Sequence, residues 1–238
     1  MPEHFLTQPL YLQLRDALAS RIARGEWKAS TAIPSEGDLA RELGVSKGTT
    51  RKALDLLEAE GLLIRRQGRG TFVVDPGSET AGQRFNHFRL ANGASVDGVA
   101  STLAIALAEA SASECERLQL VTGDKVYRIR RLRSRQGKAF MVENASLPAA
   151  LFPQLVERDL PSHRLVEIAK AYSVLLGGST ERVCAETCSA LGAEALGIEA
   201  GTPVLILDRV IRTRDGGPAE WRRAECVPGE MHYQVTWR

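Results

Sequence analysis

Three groups of side chains carry the chemistry that this sequence offers. The first is Ser46-Lys47-Gly48-Thr49-Thr50-Arg51, in which two cations and three hydroxyls suit phosphate oxygens and base edges. The second is Arg65-Arg66-Gln67-Gly68-Arg69-Gly70, three arginines with glycines that let backbone approach a phosphate or a groove floor. The third pairs Arg131 and Arg133 with Glu143, and further on Arg209 with Glu220. Arginines and glutamates that converge can fork onto a carboxylate or phosphate and accept from a ligand's hydroxyls or amines. A cross-strand ion-pair ladder would use the same residues, and the sequence leaves the two readings level. For catalysis the pattern is poor: His4, His87, His163 and His232 show no motif spacing, and no Ser-His-Asp set or phosphate loop is evident. Cys184 and Cys188, with Cys226 and His232, could gather round a metal, but apolar neighbours and irregular spacing favour buried or half-buried thiols there and at Cys115. The expectation is no catalytic residue, no metal and no cofactor.

The elements that must position these groups follow from period and punctuation. Leu10, Leu14, Leu18 and Ile22 make one stripe of a helix over 9–24, with Pro9 at its start and Gly25 past its end. Ser35 opens a short helix through Leu39, Ala40 and Leu43 that Gly44 ends, and Ser46 caps a third helix with Ala53, Leu54 and Leu57 inward, ending at Gly61. A short helix, a turn holding Gly and a longer helix read as a helix-turn-helix. Strands over 62–64 and 71–74 flank the second basic group as a hairpin, which completes a winged helix-turn-helix. Arg41 and Lys52 read as solvated helix faces.

Length and charge set the frame. The chain has 238 residues, beyond one domain of ~100 to 200, and its 31 basic against 29 acidic side chains leave a net charge of +2. Residues 1–75 hold 11 basic and 10 acidic side chains, so no global field grips nucleic acid, and any such charge must be arranged locally. No signal peptide and no apolar run of ~18 residues is present, which gives the expectation of a reduced, cytoplasmic protein away from membranes. Residues 76–83 are small, polar and non-periodic, a linker between domains over 1–75 and 84–238. In the second domain, residues 113–148 align with 191–228 at an offset of 78, rising to 80 after the second hairpin turn; each copy reads helix, glycine turn, long strand, hairpin turn, long strand, proline. Two such units predict an antiparallel sheet with helices packed on it, an α+β fold.

Four segments resemble the GntR superfamily of bacterial transcription regulators: Pro9-Leu10-Tyr11, Ile33-Pro34-Ser35-Glu36, Gly44-Val45-Ser46-Lys47-Gly48-Thr49-Thr50-Arg51 and Gly68-Arg69-Gly70-Thr71-Phe72-Val73. The resemblance implies that Lys47 and Thr49 meet DNA in the major groove, with Arg51 one turn on and Gly68 at a wing tip in the minor groove. The expected DNA-binding set is Ser35, Ser46, Lys47, Thr49, Thr50, Arg51, Arg66, Gly68 and Arg69. Many members carry Arg at the positions of Gly37 and Lys47, so the operator is expected to differ from the family's common one. Residues 85–238 resemble the UTRA ligand-binding domain of the HutC branch, a chorismate-lyase-like sheet. The carrying motifs are Arg131-Leu132-Arg133, Glu143 to Pro148, Phe152-Pro153, Gly216 to Glu220 and a closing strand His232 to Trp237. By that resemblance Arg131 and Arg133 hold an effector's anionic group, and Glu143 and Glu220 take its polar groups. Arg164 stands where members that bind phosphosugars often have Ser, so it joins the effector set and makes a carboxylate at least as fitting as a phosphosugar. The implied function is a ligand-responsive regulator, a repressor, acting as a homodimer on palindromic double-stranded operator DNA and modulated by a small anionic metabolite. A small-molecule enzyme of lyase-like fold, or a DNA-binding protein with an inert dimerisation domain, are the rival expectations.

Overall fold

Two serines set the geometry of the N-terminal unit. Ser35 accepts the backbone N–H of Asp38 at 3.2 Å and starts α2 (Glu36–Glu42), and Ser46 accepts that of Thr49 at 3.1 Å and starts α3 (Lys47–Ala59). Each cap satisfies a donor that the first turn leaves bare. Between them Gly44 takes φ +65°, the left-handed turn that ends one helix and lets the next begin at once. The computed structural model describes residues 8–28, 30–74, 87–96, 98–158, 160 and 163–235. It divides into two compact units, Met1–Arg84 and Phe85–Arg238; the expected linker at 76–83 lies outside the described residues.

In the first unit α1 (Leu10–Ala23) buries Leu14, Leu18 and Ala19 and packs on α3, which buries Ala53, Leu54 and Leu57. The inward stripe of α1 is shorter than its period suggested, since Leu10 is exposed and Ile22 half-buried. Lys52, expected in solvent, lays its ammonium 3.9 Å from the centre of the Tyr11 ring and ties α3 to α1. The hairpin is β1 (Leu63–Arg66) and β2 (Gly70–Val73), a residue or two along from the expected strands. Ile33 N–H donates to Thr71 O and Ser30 N–H to Val73 O, both at 2.9 Å, so the segment before α2 bridges to β2 at Ala32 and anchors the hairpin.

The second unit is built on an antiparallel sheet in the order β4-β5-β6-β9-β8-β7. The strands are β4 (Val99–Glu109), β5 (Lys125–Arg135), β6 (Lys138–Pro148), β7 (Leu176–Thr187), β8 (Pro203–Thr213) and β9 (Pro218–Cys226). That order reads the same when the two sequence copies are exchanged about the line between β6 and β9. The ladders correct the alignment: Arg131 faces Glu143 and Arg209 faces Arg222, and bulges pass over Phe140 and Ala219, so the second strands are offset by 79. The sequence offset of 80 matched Gly137 to Gly217, whereas the turn glycine with positive φ is Gly216. One sheet face buries Tyr127, Ile129, Ala145 and Leu147 against Phe152, Leu155 and α5 (Leu165–Ala171). Along the same face Met141, Leu207 and Ala224 lie under Phe88 of a two-stranded ribbon, β3 (Phe88–Arg89) with β10 (His232–Tyr233). The closing strand is therefore two residues long among the described residues, shorter than expected. The opposite face packs Val142, Val204 and Ile206 on Ala193 and Leu196 of α6 (Ala190–Leu196).

The two copies start their helices by reciprocal means. At α4 (Ala112–Leu118) Ser111 is the cap, and the third-residue Glu114 accepts Ser111 N–H at 2.8 Å while Ser146 on β6 donates to it at 2.6 Å. At α6 the cap is Ser189, the third residue is Gly192, and the carboxylate comes from Glu225 on β9, accepting Ser189 N–H at 2.9 Å. Glu225 and Ser146 are equivalent at the offset of 79, so serine and carboxylate have exchanged places. A Cβ at Gly192 would lie 2.1 Å from the Glu225 carboxylate, so any side chain there must push Glu225 off its hydrogen bonds to Ser189.

Gly192→Ala is expected to cost about 1–3 kcal/mol by overpacking. Gly192→Glu combined with Glu225→Ser transplants the first copy's arrangement and should lose much less than Gly192→Glu alone; melting temperatures of the set check this. The hydrogen bond from Arg128, with others from Ser146 and Ser111, holds Glu114 at about 2 against its ordinary 4.5 despite burial. A lowered folded pKa contributes stability that is complete above pH 4.5 and is lost as pH falls through about 2. Glu114→Gln should flatten that part of the acid limb in a melting-temperature series.

Candidate DNA interface and effector pocket

The first turn of α3 presents Lys47, Gly48 and Arg51 to solvent, with Thr49 half-exposed. On the hairpin tip Arg66, Gln67, Gly68 and Arg69 are all exposed, Gly68 at φ +70° and Gly70 at φ +105°. Ser35 and Ser46 are exposed caps, but the Ser35 hydroxyl already donates to Asp38 Oδ2 at 2.6 Å and the Ser46 hydroxyl lies 2.8 Å from that of Thr49. Lys47 lies over the bare Gly37, its Cε 3.6 Å from where a Cβ would stand. Thr50 does not join this surface: it is fully buried on the inner side of α3, and its hydroxyl donates to Ser46 O at 3.2 Å. A helix repeat of 3.6 residues puts positions 47 and 51 outward and 50 inward, which corrects Thr50 as a DNA contact. Arg65, which the basic run seemed to place on the wing, is held by Asp55 at 2.6 Å, Glu58 at 2.8 Å and Glu36 at 3.4 Å. Glu36 also pairs with Arg51 at 3.0 Å. Acids are thus interleaved with this cationic surface.

In the second unit the residues of the charged set sit on one sheet face, between the two apolar clusters. Arg131 is only 1% exposed; its guanidinium meets Glu143 at 3.1 Å and Glu220 at 3.2 Å and donates to His163 O at 2.6 Å. The surface-ladder reading therefore fails for this pair, because a ladder in solvent would leave these groups wet. Glu220 is not the hairpin partner of Arg209: it faces Ile211, and Arg209 pairs instead with Glu181 from β7 at 2.6 Å. Beneath the ribbon is a small cavity lined by Arg133, Glu143, Arg209, Arg222, His87 and Tyr233 among others. Arg164 is not among its lining residues; it pairs with Glu167 one turn on, at 2.8 Å.

The electrostatics of the cavity are uneven. Burial would push Glu143 up, yet the guanidiniums of Arg222, Arg131 and Arg133 hold its carboxyl at about 2. Burial likewise opposes charge on Glu181, and Arg209 holds it low. His87 is pressed below its ordinary 6.5 by burial and by Arg209, so it is neutral at pH 7. Arg133 differs from Arg131, Arg209 and Arg222 in its distance from any carboxylate: its Nη1 is 4.0 Å from Glu143, its Nε, like that of Arg131, has no hydrogen-bond partner, and burial lowers its pKa. Arg222, Glu181, His87 and Tyr233 were missed in the sequence. The alternation Glu220-x-Arg222 puts both on one face of a strand and could have given Arg222; the two-residue ribbon strands leave no period to find His87 or Tyr233.

Two substitutions separate the arginines. Arg131→Met removes the nearest cation from buried Glu220 and leaves Glu143 to Arg222 alone at close range, which should cost about 3 kcal/mol, whereas Arg133→Met removes an underpaired buried charge and should leave stability unchanged or raise it. Chemical denaturation of both variants measures this.

The comparisons with known proteins agree with this geometry. Residues 10–73 match the family described as bacterial regulatory proteins, gntR family, and residues 99–231 match the UTRA domain. The chain is 32% identical over 236 residues to an HTH-type transcriptional regulator of Mycobacterium tuberculosis, covering 96% of this chain and 86% of that one. It is 28% identical over 229 residues to the Histidine utilization repressor of Pseudomonas putida, covering 94% and 90%. Its fold is similar to the crystal structure of the possible transcriptional regulator YydK from Bacillus subtilis, with a TM-score of 0.59 at 20% identity over 94% of this chain and 99% of that one. With a helix-turn-helix unit followed by a UTRA ligand-binding unit, the chain belongs to the HutC branch of the gntR family of bacterial transcription regulators.

Proposed function

We propose that the chain is a cytoplasmic, ligand-responsive repressor that binds a palindromic operator as a homodimer and is modulated by a small monoanionic metabolite, a carboxylate, held under the ribbon. The observation that carries the effector reading is Arg133, a cation on the cavity wall without a carboxylate of its own. Across the stripe Arg131, Arg133, Arg209 and Arg222 stand against Glu143, Glu181 and Glu220, which leaves one positive charge to be matched. One ligand charge balances that set, and a phosphate dianion would overshoot it. Arg131 then acts through Glu143 and Glu220 rather than on the ligand, and Glu143 is the carboxylate closest to it.

As it stands the cavity has room for about one water molecule, so a metabolite must displace part of its wall. The ribbon is the weakest part, two residue pairs long, and β3 begins just after the segment 75–86 that leads from the DNA-binding unit. Moving β3 gives the ligand a differential affinity between two arrangements, without which no effector could alter operator binding. On DNA, Lys47 and Arg51 on the recognition helix and Arg66, Gly68 and Arg69 on the wing make the contacts. Several relatives carry repressor in their names, which supports repression rather than activation.

Lys47→Ala with Arg51→Ala should abolish the operator shift at physiological salt, and Arg69→Ala should lower the salt slope by about one. Unchanged binding in the double variant would sink the interface. For the effector, a thermal-shift screen of monocarboxylates against phosphate monoesters should stabilise the wild type with a monocarboxylate only, and Arg133→Ala should lose that shift. A full shift in Arg133→Ala would remove its anchoring role.

A further inference from the structure

We propose that Glu36 is a specificity-determining residue of the DNA interface: its carboxylate, held in place by Arg65, makes the Arg51 guanidinium accept a guanine edge and refuse a phosphate. The proposal rests on the DNA-binding reading above and names what one of its contacts selects.

Among the cations assigned to DNA, Arg51 alone stands beside an acid. Its Nε donates to Glu36 at 3.0 Å, whereas Lys47, Arg66 and Arg69 have no carboxylate within ion-pair distance among the described residues. A surface built only to attract a polyanion gains nothing from a carboxylate at that place, because a cation already neutralised displaces no counterion from DNA. Glu36 is the first residue of α2, where the helix dipole favours an acid, but that role asks for no arginine beside it.

Glu36 is fixed from behind. Arg65 reaches it with Nη2 at 3.4 Å, while Nη1 of the same guanidinium lies 2.6 Å from Asp55 and 2.8 Å from Glu58. Glu58 also accepts the backbone N–H of Arg65 at 2.9 Å, so this arginine cannot swing toward a duplex without leaving three carboxylates. The series runs from Arg51 on α3 through Glu36 on α2 to Arg65 on β1, and back to α3 at Asp55 and Glu58. Three carboxylates stand against two guanidiniums, an excess of one negative charge.

This geometry sorts what Arg51 can receive. Its side chain is 68% exposed and that of Glu36 28%, so the carboxylate lies behind the guanidinium and the outward edge is clear. With Nε taken, the two Nη groups remain, and no hydrogen bond within the described residues uses them. They form the parallel pair of donors that fits O6 and N7 of guanine. Those acceptors are neutral. A phosphate seated on the same edge would bring a full negative charge to about 6 Å from Glu36, and repulsion at that range near a protein surface is worth roughly tenfold in affinity. Glu36 thus penalises the contact that every DNA sequence offers and leaves untouched the one that guanine offers.

The test uses the full chain and an operator selected from a pool of random duplexes. Dissociation constants are measured at low and at physiological salt for that duplex, for every single base-pair substitution in one half-site, and for a scrambled duplex. Arg51→Ala marks the position that Arg51 reads, expected to be a guanine, by losing the preference there. Glu36→Gln should lose roughly tenfold of the preference at the same position, because Arg51 can then turn to a phosphate, and should keep the preferences elsewhere. It should bind the scrambled duplex roughly fivefold more tightly, with a salt slope steeper by about one. Arg65→Gln should give the same pattern, smaller in size. A merely structural role for Glu36 would weaken all duplexes together, and that result, or an unchanged preference at the Arg51 position, overturns the proposal. If Arg51→Ala binds as the wild type does, the interface and this role both fall; if it loses the operator while Glu36→Gln keeps every preference, only the role of Glu36 falls. Should Glu36→Gln not fold, Arg65→Gln decides: a full preference kept at the Arg51 position overturns the proposal.

Discussion

Burying the Arg131 guanidinium to 1% exposure takes a cation out of water and leaves it to be matched by the protein. The rest of the second unit is arranged around that constraint at Arg131. Removing such an ion from water costs several kcal/mol, and only close, hydrogen-bonded anions offset it. They come from three places: Glu143 on the hairpin partner, Glu220 on the strand of the other sequence copy, and the carbonyl of His163 just before α5. The ion thus fixes the register of the central strands and the path of the segment that covers them. It also divides the sheet face, leaving an apolar core at one end and a small polar cavity at the other.

Much of the first unit was legible because its signals are local. A serine cap acts on an N–H three residues away, and a glycine ends a helix at its own position, so Ser35, Gly44, Ser46 and Gly61 could be read without knowing anything distant. The second unit's sheet was legible from its duplication, but the partners were not. Whether Arg209 meets Glu220 or Glu181 depends on a bulge that shifts the ladder at Ile211, and on β7, which pairs from the far side. Bulges leave little trace in a single sequence, and a shift of one residue changes every pairing beyond it. Thr50 shows the reverse failure, where a motif read as a string hid the helical period that turns one of its residues inward.

The near-neutral charge of the first unit acquires a physical meaning from Glu36. That carboxylate accepts from both Arg51 and Arg65 in the free protein, so a phosphate that approaches Arg51 must compete with an anion already in place. Contacts of this kind reward a duplex only when several form together. On the proposed interface, a chain built so is expected to bind arbitrary DNA weakly and to depend on several phosphates standing at the right spacing.

The exchange of carboxylates between the two sequence copies occurs more than once. At the helix starts Glu114 with Ser146 is answered by Gly192 with Glu225; in the central stripe Glu143 on the hairpin partner of Arg131 is answered by Glu181 on the edge strand beside Arg209. In both places the anion stands on a different strand in the two halves, and the second half adds Glu220 to the stripe besides. A segment copied from one half into the other would therefore bring two carboxylates to one place and none to the next. The symmetry visible in the backbone is thus not matched by interchangeable side chains.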